Sequence, residues 1–547
     1  MMIRTLENRF YYLDNFHTVV NWIAERYDAL LDDVERRFIA RFVELPQPSR
    51  ALLVRMVMRK GVLFRASKLR YDEIGDPHDA ACLLAEAGWI EPDPHLSLEE
   101  LFSLLTKAEV ESLFRDHLPR GARKAEQLDA LREVFAEPRP FSRWHPYAAD
   151  QAYRLCIGDL CDRLRLMFFG NLHQDWTEFV LSDLGITRYE KVAFPVSAQA
   201  FRSRQDVDDY LHLFRCRERF EAGETVEAIL ADVPDAPLAN DWLEQRRARL
   251  LFHIAQECER AQDWDTALRL YAGICHPEAR ARRIRVLELC SRHAEALALA
   301  QAAAEQPESE AEQQQVLRML PRLLRRAGLP RLPARAPVEV PRIDLCLPQP
   351  QGDYSVEELV RAHIAMPDAP AWYVENTLIN SLFGLLCWQA VFTPVPGAFF
   401  HPFHAGPADL HSPDFRARRE KEFDACLSAL DAGHYQAIIR RNFQDKAGIQ
   451  SPFVFWDILD DTLLDLALAC IPPAHLKKWF ERMLRDIRVN RSGFPDLIQF
   501  WPEEGRYRMV EVKAPGDRLQ DNQVRWLEFF AEHGMPVDVC WVQWTDA

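Results

Sequence analysis

Six prolines punctuate the segment AGLPRLPARAPVEVPRIDLCLPQPQG (327–352), and this stretch constrains the fold more than any other. Proline lacks an amide donor and clashes with the preceding helical turn, so no helix persists across it. It is the clearest domain boundary in the chain, separating a long helical region from a C-terminal domain of residues 353–547. At 547 residues the chain exceeds what one hydrophobic core usually organises, so several domains are expected.

Composition narrows the function. A 48% hydrophobic and 27% charged content is that of a soluble globular protein, and a net charge of -16 excludes coating nucleic acid by charge alone. Any contact with a polyanion must come from local basic patches. The 12 cysteines are scattered without paired CxxC motifs, and MMIRTLENRFYYLDNF lacks the apolar stretch of a secretory signal. A reducing, cytoplasmic setting follows, with Cys156 and Cys161 expected as buried thiols rather than zinc ligands. The run NTLINSLFGLLCWQAVFTPVPGAFFHPFHAG after Glu375 is long enough to suggest a membrane span. Pro394 and Pro396 break it, and Asn376, Asn380, Ser381 and Gln389 interrupt its apolar surface, so a buried core helix is expected.

Residues 1–95 have helical patterning, including ALLVRMVMRKGVLFRASKLRY, where Arg55, Arg59, Lys60, Arg65, Lys68 and Arg70 form a basic block. Residues 96–140 predict two short amphipathic helices joined by a turn with Pro119 and Gly121; Arg120, Arg123 and Lys124 stand at the start of the second. This pattern resembles an SAP domain, a small module that binds duplex DNA. Residues 141–235 read as further helix, with Trp176 and Phe179 in an ordinary core. From 236 to 326, LLFHIAQECERAQDWDTALRLYAGI and RIRVLELCSRHAEALALAQAAAE form helical hairpins. Ala255, Trp264, Ala267, Leu268 and Tyr271 fall near the small and large positions of tetratricopeptide units, which these hairpins resemble.

The chemistry concentrates near the C-terminus, in GFPDLIQFWPEEGRYRMVEVKAPGDRLQDNQVRWLEFFAEHGMPVDVCWVQW. LIQFW reads as a strand, PEEG as a turn and RYRMVEVK as the returning strand. Side chains alternate faces along a strand, so Glu511 and Lys513 point one way and Val510 and Val512 the other. Asp496 begins the partner strand, and the hairpin can bring all three together. Two carboxylates beside an ammonium suit a hard divalent cation. LQDNQVRWLEFFAEHG then has helical spacing, closed by Gly534, and VDVCWVQW is a further strand.

Three other features invite assignment. His401, His404, Asp409, His411 and Asp414 look like a metal cluster, but their proline-broken spacing fits no helical pair or zinc-knuckle pattern, and a loop is favoured. Arg482, Arg485, Arg488 and Arg491 recur every three residues and, if helical, form one basic stripe aimed at the site to hold phosphates. Arg518, in the turn after Lys513, joins the expected DNA-binding set.

The order strand, strand, helix, strand, with Pro495-Asp496 followed by Glu511-Val512-Lys513, resembles the core of the PD-(D/E)xK nucleases. GFPDL, VEVKAPGDRL and NQVRWL are similar to the VRR-NUC domain. With the basic N-terminal block and the SAP-like and repeat-like segments in this order, the whole chain resembles the Fanconi-associated nuclease family. The resemblance implies mainly α N-terminal and middle regions and a C-terminal α/β nuclease domain. It implies a structure-specific 5′-flap endonuclease and 5′-exonuclease acting on branched DNA in interstrand crosslink repair. One or two Mg²⁺ or Mn²⁺ ions would be held by Asp496, Glu511, the Val512 carbonyl and Glu375, with Lys513 and Gln523 assisting. Arg488 would help hold the DNA end, although relatives often carry a lysine where this chain has Asn522. The setting would be cytoplasmic and nucleoid-associated in a bacterium, nuclear in a eukaryote. A non-catalytic adaptor using the repeats for protein partners, or a nuclease for junctions or RNA, are the alternatives.

Overall fold

The computed structural model describes residues 8–118, 121–146, 150–174, 187–330, 339–348, 352 and 355–545. Pro119 and Arg120, like Trp176 and Phe179, lie outside the described residues. Two compact units emerge: Met1–Thr187 with Phe201–Val207, and Arg188–Ala200 with Asp208–Ala547.

In the first unit, helices Tyr11–Tyr27, Asp33–Glu44, Gln47–Val57 and Pro77–Glu86 bury apolar faces at helical spacing, such as Phe16, Val19, Val20 and Ile23. The run expected to be helical as far as Tyr71 stops at Val57. Gly61, at φ +88°, then turns the chain into strand β1 (Leu63–Arg65). Strands β2 (Ile90–Pro92), β3 (His95–Leu96), β4 (Arg139–Pro140) and β5 (Ala152–Leu155) follow. β5 is the centre of the antiparallel sheet β1-β5-β2, inside a stretch read from sequence as more helix. Four residues are too few for periodicity to reveal a strand. Among the described residues the SAP-like region holds three α-helices rather than two, Leu98–Leu104, Lys107–Leu113 and Lys124–Arg132, with a 3-10 turn at Arg115–His117. Thr106 starts the extra one, its N–H donating to Glu109 (2.7 Å) and its hydroxyl accepting from the Glu109 N–H (3.3 Å). Cys156 is exposed, against expectation, while Cys161 is buried.

In the second unit, helices Asp241–Arg260, Trp264–Ala272, Ala279–Leu289, His293–Glu305 and Glu310–Arg326 stack in sequence around a shared core. Gln262 (φ 62°) and Ser291 (φ 60°) occupy equivalent turns of the two hairpins. The proline-rich segment then gives a finding that the linker reading missed. Arg342–Pro348 is strand β6, paired in parallel with β10 at one edge of the C-terminal sheet. Pro341 precedes it and Pro348 is its last residue, tolerated because an edge strand leaves one side unpaired.

That sheet has the order β6-β10-β9-β8-β7, with β7 Ala371–Tyr373, β8 Leu497–Trp501, β9 Arg506–Lys513 and β10 Val537–Thr545. Gly505, at φ +60°, closes the β8–β9 hairpin at the expected turn. One face carries Ile498, Phe500, Tyr507, Met509 and Val539, packed with Trp479, Phe480, Trp526 and Phe530 of helices Pro473–Arg485 and Asp521–Glu532. Leu497, Val510, Val512, Cys540 and Val542 line the other face with Val360 of helix Val356–Ile364. Helix Leu378–Leu386 is buried along its whole length, which accounts for its uncharged sequence. Among the described residues no helix is long and apolar enough to cross a membrane.

Candidate active site

The β8–β9 register pairs Leu497 with Val510, so one step further Asp496 stands opposite Glu511. The Val512 N–H donates to Asp496 Oδ2 at 2.7 Å, fixing the carboxylate against β9. Glu511 and Lys513 continue the row of Tyr507 and Met509, as the two-residue period requires. All three site residues are deep in the fold, with exposures of 5% for Asp496, 0% for Glu511 and 7% for Lys513.

A buried carboxylate without hydrogen bonds is costly, and Glu511 is one. Lys513 Nζ lies 2.7 Å from Glu511 Oε1, but neither Glu511 oxygen has an aligned donor. Burial pushes the Glu511 carboxyl upward, the neighbouring Asp496 adds to that rise, and Lys513 opposes it. Burial also raises the Asp496 carboxyl, against the pull of the Val512 N–H. The strand termini thus bring two buried carboxylates and an ammonium together, and carboxylate oxygens are the donors a hard divalent cation takes.

Glu375 is not at the start of a helix but in the turn between β7 and helix Leu378–Leu386. Its Oε2 accepts from the Tyr373 hydroxyl (2.6 Å) and its Oε1 from Asn376 Nδ2 (3.2 Å). Its charge raises both Asp496 and Glu511. Among the described residues no three His, Cys, Asp or Glu side chains gather closely enough to form a ready-made metal cage. Gln523 lies in the first turn of helix Asp521–Glu532, and its Oε1 accepts from the Gln520 N–H (2.8 Å).

The expected arginine stripe does not form. Helix Pro473–Arg485 ends where Asp486 caps a separate short helix, Ile487–Asn490, through the Val489 N–H. A repeat of three also drifts around a 3.6-residue helix. Arg482 is buried, donating to Glu310 (3.0 Å) and lying over the Trp526 and Phe529 rings. Arg485 is exposed near Glu310, and Arg488 pairs with Glu278 at 3.1 Å. Arg491 donates to the Pro452 carbonyl at 2.8 Å. Arg518 is exposed.

The N-terminal basic block divides the same way. Arg65 is buried between Glu109 (2.6 Å) and Asp150 (2.8 Å), a structural tie that leaves its guanidinium unsuited to phosphate. Arg55 pairs with Glu73 and lies 3.8 Å over the Tyr12 ring, while Arg59 donates to the Lys68 carbonyl. Lys60, Lys68, Arg70 and Arg123 are exposed, and Lys124 donates to the Leu105 carbonyl.

The histidine-rich stretch is a loop, as expected. The His401 and His404 rings stand 4.1 Å apart, accepting from the Phe403 and Phe400 N–H groups. Burial pulls His401 well below its ordinary value and His404 to about 4. Asp409 is occupied by Arg418 and Arg419, and Asp414 accepts from Ser412.

Sequence reasoning missed Asn376, read only as an interruption in an apolar run. At φ 52° it sits in the left-handed region, where asparagine is tolerated better than most residues. Its Oδ1 accepts from the Gly493 and Phe494 N–H groups (2.8 and 3.2 Å), just before Asp496. A non-glycine residue in a left-handed turn directly after a candidate acid was the available signal.

Comparison with known proteins adds independent findings. Family models match residues 10–91 (FAN1, HTH domain), 95–144 (Fanconi anemia-associated nuclease SAP domain) and 431–544 (VRR-NUC domain). The chain is 57% identical over 540 residues to a Fanconi-associated nuclease 1 homolog of Pseudomonas aeruginosa, covering 98% of this chain and 97% of the relative. A rice homolog is 25% identical over 608 residues, covering 97% of this chain and 62% of that protein. Crystal structures of paFAN1 are also similar. With 2-nucleotide 5′-flap DNA and a gap, the match has TM-score 0.93 and 56% identity over 100% of both chains. With a 1-nucleotide flap, TM-score is 0.90 and identity 57%, over 99% of this chain and 100% of the other.

Proposed function

The chain belongs to the Fanconi-associated nuclease family, and from that premise we propose that it hydrolyses phosphodiester bonds in 5′-flapped, branched DNA during repair, including repair of interstrand crosslinks. The observation that carries this reading is the fully buried Glu511 carboxylate, held between Asp496 and Lys513 at the end of the β8–β9 hairpin. VRR-NUC nucleases are generally metal-dependent. Asp496, Glu511, the Val512 carbonyl and Glu375 would hold one or two ions, and oxygen-only ligands favour Mg²⁺ or Mn²⁺. A bound divalent ion supplies Lewis-acid polarisation of the phosphate and an acidified water.

The protein's own groups do the rest. Lys513, with Glu511 Oε1 as its neighbour, would orient the attacking water or stabilise negative charge developing on the phosphate. Gln523 uses its carbonyl oxygen to cap its own helix, leaving its amide group for support of the site. Exposed cations (Lys60, Lys68, Arg123, Arg485, Arg488 and Arg518) are the best candidates for backbone contacts. They suit a reader of DNA shape, because phosphate contacts carry register without sequence. We assign residues 1–95 and the SAP-like 96–140 to duplex binding, 236–326 to a repeat bridge, and the C-terminal domain to catalysis.

The test is cleavage of a labelled panel of 5′ flap, fork, junction, linear duplex and RNA hairpin with Mg²⁺ or Mn²⁺. Preferential cutting of the flap is expected, and Asp496→Ala or Lys513→Ala should lose about 10²–10³-fold or more in rate. Parental rates in either variant would reject the assignment, and equal cutting of linear duplex would reject shape selection.

A further inference from the structure

Two of the proposed metal ligands lie on separate elements. Glu375 stands in the turn after β7, whereas Asp496 follows a loop that arrives more than a hundred residues later. Pairing of β7 with β8, Tyr373 opposite Leu497, brings the two segments side by side. One side chain adds a bridge beyond the end of that pairing. Asn376 donates from Nδ2 to Glu375 Oε1 (3.2 Å) and accepts at Oδ1 from the Gly493 and Phe494 N–H groups (2.8 and 3.2 Å). Those two amides open the short stretch that ends in Asp496. The Asp496 carbonyl in turn accepts from the Val374 N–H at 2.8 Å, closing the two segments from the other side.

The loop has little freedom to adopt another course. Gly493 is at φ +93°, and a Cβ there would stand 2.9 Å from Asn522 backbone and side-chain atoms. Asn380 holds the same loop one step earlier, donating to the Arg491 carbonyl (2.8 Å) and to the Asn376 carbonyl (2.7 Å). The second Glu375 oxygen is taken by the Tyr373 hydroxyl at 2.6 Å, so both lone-pair edges of the acid are oriented before any ion arrives.

We propose that Asn376 is a positioning residue for the metal site, its single amide tying the Glu375 carboxylate to the Gly493–Asp496 segment. The proposal rests on the reading of Glu375 and Asp496 as ligands. Groups that orient a ligand from behind typically change metal affinity by about 10–100-fold when removed. Asn376→Gly removes the amide while suiting the left-handed backbone, which alanine would strain. Asn376→Asp keeps the acceptor for the loop amides but replaces the donor to Glu375 with a second acceptor.

The experiment measures Mn²⁺ binding by the full-length chain from the free-ion electron paramagnetic resonance signal, alongside single-turnover cleavage of a 5′-flap. For Asn376→Gly the half-saturating Mn²⁺ should rise about tenfold or more, with flap affinity in EDTA unchanged. Unchanged Mn²⁺ affinity would overturn the proposal. For Asn376→Asp, whose loop contacts survive, cleavage at saturating Mn²⁺ should fall about tenfold or more; a parental rate would overturn the proposal even if the glycine variant failed to fold. Glu375→Gln separates the two readings. Parental Mn²⁺ affinity in that variant would reject Glu375 as a ligand, whereas weakened binding there with parental behaviour in both Asn376 variants would reject only the positioning role.

Discussion

Glu511 stores an electrostatic cost that the free protein bears and a cation would relieve. Its carboxyl is raised in the fold by burial and by Asp496, so the folded state binds a proton more tightly than the unfolded chain does. For a raised carboxyl the stabilising contribution is full below the unfolded value near 4.3 and declines as pH rises through the folded one. Glu511→Gln should therefore melt higher than the parent in EDTA at pH 8, by about 1 °C for each kcal/mol of relieved strain in a chain of this length. The difference should vanish towards pH 4, where the parent is protonated too. Calorimetry across that range checks the sign. Gly493 offers a second test. Alanine at φ +93°, with Asn522 2.9 Å from its Cβ, should cost about 1–3 kcal/mol in urea unfolding and lower cleavage with it. Asp496, Glu511 and Lys513 were legible because strand alternation and a turn signal are local. Asn376 was not, since its partners Gly493 and Phe494 are distant in sequence and nothing in a side-chain pattern records a backbone amide as a partner.

Among the elements, the hairpin, the following helix and β10 emerged where hydrophobic spacing put them, whereas β6 was hidden. Prolines rule out a helix, but they leave an edge strand open, and the partner of RIDLCLP lies in β10, almost two hundred residues on. The arginine series failed for a different reason: spacing alone cannot say where a helix stops, and Asp486 stops this one. The four arginines should accordingly behave differently on substitution. Arg482 is buried against the partly exposed Glu310 and two rings, so Arg482→Ala removes a charged hydrogen bond and the packing over Trp526 and Phe529 and should cost about 1.5–3 kcal/mol in urea unfolding. Arg485→Ala, at an exposed position, should leave stability unchanged while weakening binding to every DNA shape alike and flattening its salt dependence.

At the scale of the second unit, the last repeat helix acts as a brace. Glu310, Gln314 and Arg318 are spaced i, i+4, i+8 on one face of Glu310–Arg326, while Val316, Leu320 and Leu323 fill the repeat core. Each polar member grips the C-terminal domain. Glu310 takes Arg482, Gln314 accepts from Arg525 (2.6 Å), and Arg318 makes two 2.7 Å bonds to Asp521. Asp521 opens the helix that carries Gln523, so the repeats steady the flank of the site rather than merely spacing domains. Both ends of the Arg318–Asp521 pair are about half exposed, which limits its worth to about 0.5–1 kcal/mol. Arg318→Glu should lose at least that much, and adding Asp521→Arg should recover it in a double-mutant cycle. Hairpin periodicity made the repeats visible in the sequence, but the polar strip reads there as an ordinary solvated face. Only its partners give it meaning. The same holds for the net charge of -16, which says that DNA must be met locally without saying where.

The most direct test of the account is anomalous scattering from crystals of the full-length protein grown with Mn²⁺. A peak in contact with the carboxylates of Asp496 and Glu511, lost in Glu511→Gln, is expected. Saturating Mn²⁺ that leaves the space between those side chains without a peak would contradict it.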